Sequence, residues 1–275
     1  MRSFVPNVVL LLLTTISTFL IGGFIYSLFI LAILVAHEMG HYLASRKYGV
    51  PSSLPYLIPF PLPPFGTLGA IIRTKSPIPN RKALFDIGAW GPLCGLALAI
   101  PSVVVGFLLS EVVDVSQLPA HSTSLGNSPL LSLLQWLVLG VLPPGTDVSL
   151  HPIAYAGWVG LFITSLNLLP AGQLDGGHII YALFGPHSKI IFRLTLLGIT
   201  LICFIYNLGW LLLVIILFFI GYKHPPPLDD HTPLDWRRKI AGGIAFLIFF
   251  AAFTPVPFPS LAVGIREVLH SWLNL

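Results

Sequence analysis

Residues 24–44 read FIYSLFILAILVAHEMGHYLA. Up to Ala36 the run carries no charge; His37, Glu38 and His41 then arrive within five positions. About 20 apolar residues in a helix cross the hydrocarbon core of a bilayer, so the run predicts a membrane helix. Ionisable side chains inside such a helix are costly and mark a functional site by default. The rest of the chain agrees. Of its 275 residues 55% are hydrophobic and 9% are charged, against roughly 25% charged in soluble domains. That composition excludes a disordered chain, which needs high charge and low hydrophobicity. It also excludes a water-soluble globule, because 14 Lys and Arg with 10 Asp and Glu cannot cover its surface. The net charge of +4 does not indicate a nucleic-acid partner, since the cations are scattered over short loops between apolar runs. Cys94 and Cys203 lie in apolar runs and read as small buried residues, with no disulfide framework and no Cys-x-x-Cys motif.

Working outward, Val8 to Ile21 is a first apolar run, read as a retained helix because another run follows directly after Gly22-Gly23. Pro51 to Pro64 holds six prolines and excludes a helix, and Gly66 to Arg73 reads as a short strand. Ala83 to Leu109 is the next run; Gly91 and Gly95, four apart, permit close helix approach. Leu130 to Leu142 is too short to span and is expected to be re-entrant or surface-bound. Pro152 to Leu169, Ile190 to Tyr206, Trp210 to Tyr222 and Ile240 to Phe253 complete the set, with a tight turn at Asn207-Leu208-Gly209. If both ends of the first helical hairpin face the cytoplasm, every Lys and Arg except Arg266 falls on cytoplasmic segments, and residues 83–188 carry none. This is the positive-inside pattern. The expected fold is an all-α polytopic membrane protein. It has six to seven transmembrane helices, starting near residues 5, 24, 84, 152, 190, 210 and 240, and a short β-like membrane-associated segment. The C-terminus is expected outside.

His37 and His41 are four apart, so on a helix they project from one face and can reach one metal ion. Glu38 sits about 100 degrees further round, placed to act as a general base without being a ligand. A catalytic zinc site normally has three protein ligands. Asp175 reaches the same depth and is the only acid between Asp147 and Asp229. Pro170, Gly172, Gly176 and Gly177 break the helix around it, and irregular backbone at membrane depth is tolerated only inside protein or beside a wet cavity. A helix cap is the competing role for Asp175. His178 reads as a satisfied buried histidine, His224, Asp229, Asp230 and His231 as a solvated loop cluster, and Asp86 as a helix-end residue.

Two motifs then carry a resemblance. His37-Glu-Met-Gly-His41 is similar to the H-E-x-x-H of the site-2 proteases, the zinc metalloproteases that cut within membranes, and Asn167 to Gly176 matches their N-x-x-P-x-x-x-x-D-G. Leu54 to Ile72 and Lys223-His-Pro-Pro-Pro-Leu-Asp-Asp resemble the branch with plant chloroplast and cyanobacterial members. The resemblance implies one zinc on His37, His41 and Asp175, Glu38 as the base that activates water, and Asn167 positioning substrate or stabilising the oxyanion. It implies an intramembrane endopeptidase acting on a transmembrane protein substrate in the lipid bilayer. Residues 1–275 are expected to form a single metalloprotease domain with no accessory PDZ or nucleotide-binding domain. A prokaryotic cell membrane is the first expected location and a plastid membrane the second. The contrasting class is a membrane metal-handling protein, a zinc transporter or sensor without peptidase chemistry.

Overall fold

The computed structural model describes residues 4–74, 76–118, 123–220 and 224–261. Arg2, Lys75, His121, Lys223, Arg266, Glu267, His270 and the expected outer C-terminus lie outside the described residues. The first element, α1 (Val5–Lys47), is a hairpin of two arms. At Gly23 the backbone leaves helical space with φ 75° and ψ −174°, a conformation open to glycine because it lacks a Cβ. Ser27 Oγ consequently lies 2.7 Å from Thr18 Oγ1 and 3.3 Å from the Thr15 carbonyl oxygen. Nine residues of straight helix would separate Thr18 from Ser27 by about 13 Å. Asn7 Nδ2 donates to the carbonyls of Leu54 and Pro55, at 3.2 and 2.8 Å, so the start of the first arm and the end of the second share one end of the molecule, as expected.

The remaining helices are α2 (Arg81–Leu108), α3 (Pro129–Leu139), α4 (Pro152–Asn167), α5 (Asp175–Phe184), α6 (Ser188–Tyr206), α7 (Leu211–Ile220) and α8 (Trp236–Ala252). Their core is apolar, but hydroxyls are buried among the helices and many large apolar side chains face outward. Thr14, Ser17, Thr18 and Ser27 are buried between the arms, whereas Leu20, Phe24 and Leu247 stand about 70% exposed. Lipid solvates such apolar faces, and hydroxyls bonded inside need no water. Helices begin close to every expected start, but the span count is not reached by length. Among the described residues, three segments are long and apolar enough to cross a membrane: Val5–Lys47, which is the folded hairpin, Arg81–Leu108, and Asp175–Tyr206. The last is interrupted at Gly185, where φ is 57°. α4, α7 and α8 have 16, 10 and 17 residues, short of the roughly 20 needed. Caps and glycines end these helices inside the apolar runs, and helix length neither reaches nor excludes the expected six to seven crossings. α3, with 11 residues, is short as expected.

Two small antiparallel sheets interrupt the helices. β1 (Tyr56–Pro59) pairs with β2 (Thr67–Ile71), and β3 (Glu111–Asp114) pairs with β4 (Thr146–Ser149). β2 is the expected strand; its partner comes from the proline-rich stretch, and β3–β4 was not anticipated. The β1–β2 loop is held among helices. Ser17 Oγ donates to the Gly66 carbonyl at 2.6 Å, Tyr26 Oη to Phe65 at 2.7 Å and Tyr155 Oη to Pro64 at 2.6 Å.

Cations gather at the end where α1 stops and α2 and α8 begin. Asp86 is a hub there rather than a helix-end residue; Asn80 caps α2 by accepting from the Ala83 N–H at 2.9 Å. Asp86 receives Arg238 Nε at 2.8 Å and Nη2 at 2.7 Å, Tyr48 Oη at 2.6 Å, and has Lys47 Nζ at 3.7 Å. Arg238 also pairs with Asp235. The Asp86 side chain is 9% exposed, so its charge depends on these partners. Arg238→Met is expected to destabilise the protein by about 3–5 kcal/mol by orphaning Asp86, with Asp86→Asn/Arg238→Met less affected. Thermal unfolding in one detergent tests this; a loss under about 1 kcal/mol would mean the pair behaves as a solvated one.

Candidate metal centre

The second arm of α1 brings His37 and His41 to one face, their ring centroids 4.9 Å apart. Both are buried, as is Glu38 at 4% exposure. His37 Nε2 lies 3.1 Å and His41 Nε2 3.3 Å from the same oxygen, Oδ2 of Asp175. Ligand atoms of His37, Glu38 and His41 all lie within 4.8 Å of one another. Asn167 Nδ2 approaches His37 Nε2 at 3.3 Å. All five residues singled out from the sequence therefore meet at one place.

Asp175 is delivered by the predicted break. α4 ends at Asn167, the chain turns through Gly172 at φ 52°, and α5 restarts at Asp175. The N-cap of α5 is Leu174 and makes no side-chain capping bond, so Asp175 serves the histidines rather than the helix end. Gly176 and Gly177 sit against the carbonyls of Leu168 and Gly172, where a Cβ would collide.

One face of α2 makes room for the site. A Cβ on Gly91 would run into the His41 imidazole, one on Gly95 would come to 3.0 Å from His37 Nδ1, and one on Gly88 to 2.8 Å from the His178 Cβ. Gly40 in turn receives the Trp90 carbonyl. The sequence suggested close helix packing at Gly91 and Gly95; the structure adds that the gap is filled by the two imidazoles.

The donor set fits a divalent ion. His41 Nδ1 bonds the Ile87 carbonyl at 2.7 Å, and a carbonyl only accepts, so Nδ1 carries the proton. In the neutral ring Nε2 then points a lone pair at the Asp175 carboxylate, an arrangement that a bound cation between them would favour and that a second ring proton would also satisfy. Bonds of about 2.0–2.1 Å at tetrahedral angles put ligand atoms about 3.3 Å apart, close to the spacing seen.

The site opens into a cavity of about 620 Å³. One wall is the β2 end, Ala70 to Ile72; the other is His224 to Leu228. This corrects the sequence reading of a solvated cluster for His224 and Asp230, while His231 is exposed as expected. His224 Nε2 bonds His178 Nδ1 at 2.7 Å and its ring stacks on Tyr181 with centroids 4.5 Å apart. Asp230 receives Arg81 Nε at 2.8 Å and Tyr181 Oη at 3.0 Å. Burial pushes the His224 pKa down to about 4, so its ring is neutral at neutral pH. His178 is satisfied, as expected, but its partner was not foreseen. The one signal for it was a histidine directly before three prolines.

Helix-borne imidazoles meeting a carboxylate in a cavity among membrane helices define a metal-dependent membrane protein. The family described as Peptidase family M50 matches residues 25–205, and the chain belongs to it. It is 36% identical over 233 residues to the Arabidopsis thaliana protein named "Probable zinc metalloprotease EGY1, chloroplastic", covering 82% of this chain and 42% of the relative. The Oryza sativa subsp. japonica protein of the same name is 37% identical over 238 residues (83% and 39%). The Arabidopsis "Probable zinc metallopeptidase EGY3, chloroplastic" is 34% identical over 263 residues (86% and 42%). The chain spans about two-fifths of the length of these curated relatives. No solved structure matches it. The relatives' names are chloroplastic and lend no support to the expected prokaryotic membrane.

Gly91→Ala, which drives a methyl group into the His41 ring, is expected to weaken zinc binding by at least about tenfold. Gly243→Ala, which meets nothing within 4 Å, should leave it unchanged. Competitive metal titration compares them; equal affinities would mean the glycine face does not set the site.

Proposed function

We propose that the chain is an intramembrane zinc metalloendopeptidase that hydrolyses peptide bonds within or near the transmembrane segments of membrane-protein substrates, as a step of regulated intramembrane proteolysis. The observation that carries this is the approach of His37 and His41 to one oxygen of Asp175, with the Glu38 carboxylate within 4.8 Å of the histidine ligand atoms. His37, His41 and Asp175 would hold one zinc per chain. When bound, zinc acts as a Lewis acid, polarising a carbonyl and lowering the pKa of a water from about 15.7 to about 7.

Glu38 takes the proton as water attacks the scissile carbonyl and returns it to the departing nitrogen. Its burial keeps that exchange away from bulk water. The Asn167 amide, beside His37, donates to the oxyanion as charge develops. A substrate helix hides its amides in internal bonds and must unwind first. The edge of β2, paired on one side with β1, can take the unwound segment as an added strand.

The bilayer is the solvent this reading requires, and the lipid-facing apolar surface supports it. The two arms of α1 with α2, α4, α6, α7 and α8 would supply six or seven crossings once their flanking residues are included. A plastid membrane is favoured over a prokaryotic one by the relatives' names. Metal transport would favour ligand sets repeated along a path; among the described residues there is one cluster of three or more such side chains.

Glu38→Gln is expected to keep one zinc per chain and to lose about 10²–10⁴-fold in cleavage of a transmembrane peptide. Asp175→Asn should lose zinc as well as activity. Metal analysis alongside a gel-based cleavage assay separates these roles. Zinc lost from Glu38→Gln would show the carboxylate to be a ligand, and wild type that binds zinc without cutting any member of a broad panel would favour metal handling. Asn167→Ala should bind zinc normally and lower kcat by about 10²–10³-fold; an unchanged kcat would remove Asn167 from the chemistry.

A further inference from the structure

The segment 224–230 is fastened along its whole length. Its first residue bonds and stacks on α5 through His178 and Tyr181. Near its other end the Leu228 N–H donates to the Ile78 carbonyl and the Asp229 N–H to the Pro79 carbonyl, both at 2.9 Å, and Asp230 pairs with Arg81. Between these anchors lie Pro225, Pro226 and Pro227, which line the same cavity as Ala70, Ile71 and Ile72 at the end of β2.

We propose that residues 224–228 are the second wall of the substrate groove, a proline strap latched over the site by the His178–His224 pair. This rests on the peptidase reading and adds two positioning residues to it. Three consecutive prolines carry no N–H and have a fixed φ, so the strap is stiff and offers carbonyls without donors. A strand cannot ladder onto such a wall. An extended peptide in the groove therefore pairs with β2 alone and lays alternate apolar side chains against the prolines. The wall grips without becoming a second sheet edge, so a product held by one ladder can leave. The substrate class this selects is an unwound, extended, mainly apolar segment of a membrane span.

The latch is tied to the metal centre by chain geometry. His178 lies three residues beyond Asp175 on the same helix face, and Gly88 lets it approach α2. Strap and site carboxylate thus share one rigid element.

The test uses the full zinc-loaded chain in lipid vesicles with a synthetic single-span peptide as probe. In a Glu38→Gln background, which holds peptide without cutting it, a photo-crosslinking residue at Leu228 should capture the peptide. His224→Ala should lower that yield about tenfold. His224→Gln, whose amide can still reach His178 Nδ1, should restore most of it, with zinc content equal throughout. In the Glu38-containing protein, His224→Ala should raise KM about tenfold and leave kcat within about twofold. Failure of Leu228 to capture peptide overturns the strap as a groove wall. Zinc lost from His224→Ala overturns the positioning role, because the pair would then be shoring up the metal site. If wild type cuts nothing, the peptidase reading falls, and the crosslinking arm decides the strap independently.

Discussion

Two imidazoles and two carboxylates must share a dry space between helices that are otherwise apolar. Any one of them alone would be too costly to bury. His37 and His41 approach Asp175 Oδ2 at 3.1 and 3.3 Å, and a divalent ion held there would balance the buried carboxylates. Most of the surrounding architecture serves that approach. α2 presents glycines where the rings of His37 and His41 need volume. The Ile87 carbonyl fixes the His41 tautomer. The Leu168–Leu174 break lets a carboxylate enter from a second helix.

That break would be intolerable against lipid, since its amides lack helical partners. It persists because its bonds are made locally and inside protein. Ala171 N–H donates to Leu169 at 2.7 Å, Leu174 N–H to Ala171 at 3.1 Å and His178 N–H to Leu174 at 3.0 Å. The β1–β2 loop solves the same problem with hydroxyl donors from Ser17, Tyr26 and Tyr155. Irregular backbone is thereby held inside the protein, and the end of β2 lines the cavity beside the candidate site.

The cation-rich end does separate work. Arg238 holds Asp86 and Asp235 together, joining the start of α8 to the start of α2 and, through Tyr48 and Lys47, to the end of the histidine-bearing arm. Arg81 does the same for the proline strap through Asp230. Charges that fix orientation in a bilayer here also clamp the elements that bear the site.

The sequence by itself made legible the apolar helical runs, the helical hairpin turning at Gly22-Gly23, the strand near Gly66 and the five residues that meet at the candidate site. These are written in local signals: apolar runs, a four-residue histidine spacing, and a proline and glycines around one acid. It could not determine which charged residues beyond the motifs are buried together. Asp86 read as a helix end and His224 as solvated, because their partners, Arg238 and His178, lie 152 and 46 residues away. Nor could it assign Gly91 to His41 rather than to a neighbouring helix. Pairing over such separations depends on how the helices pack in three dimensions, and only the tertiary structure decides it.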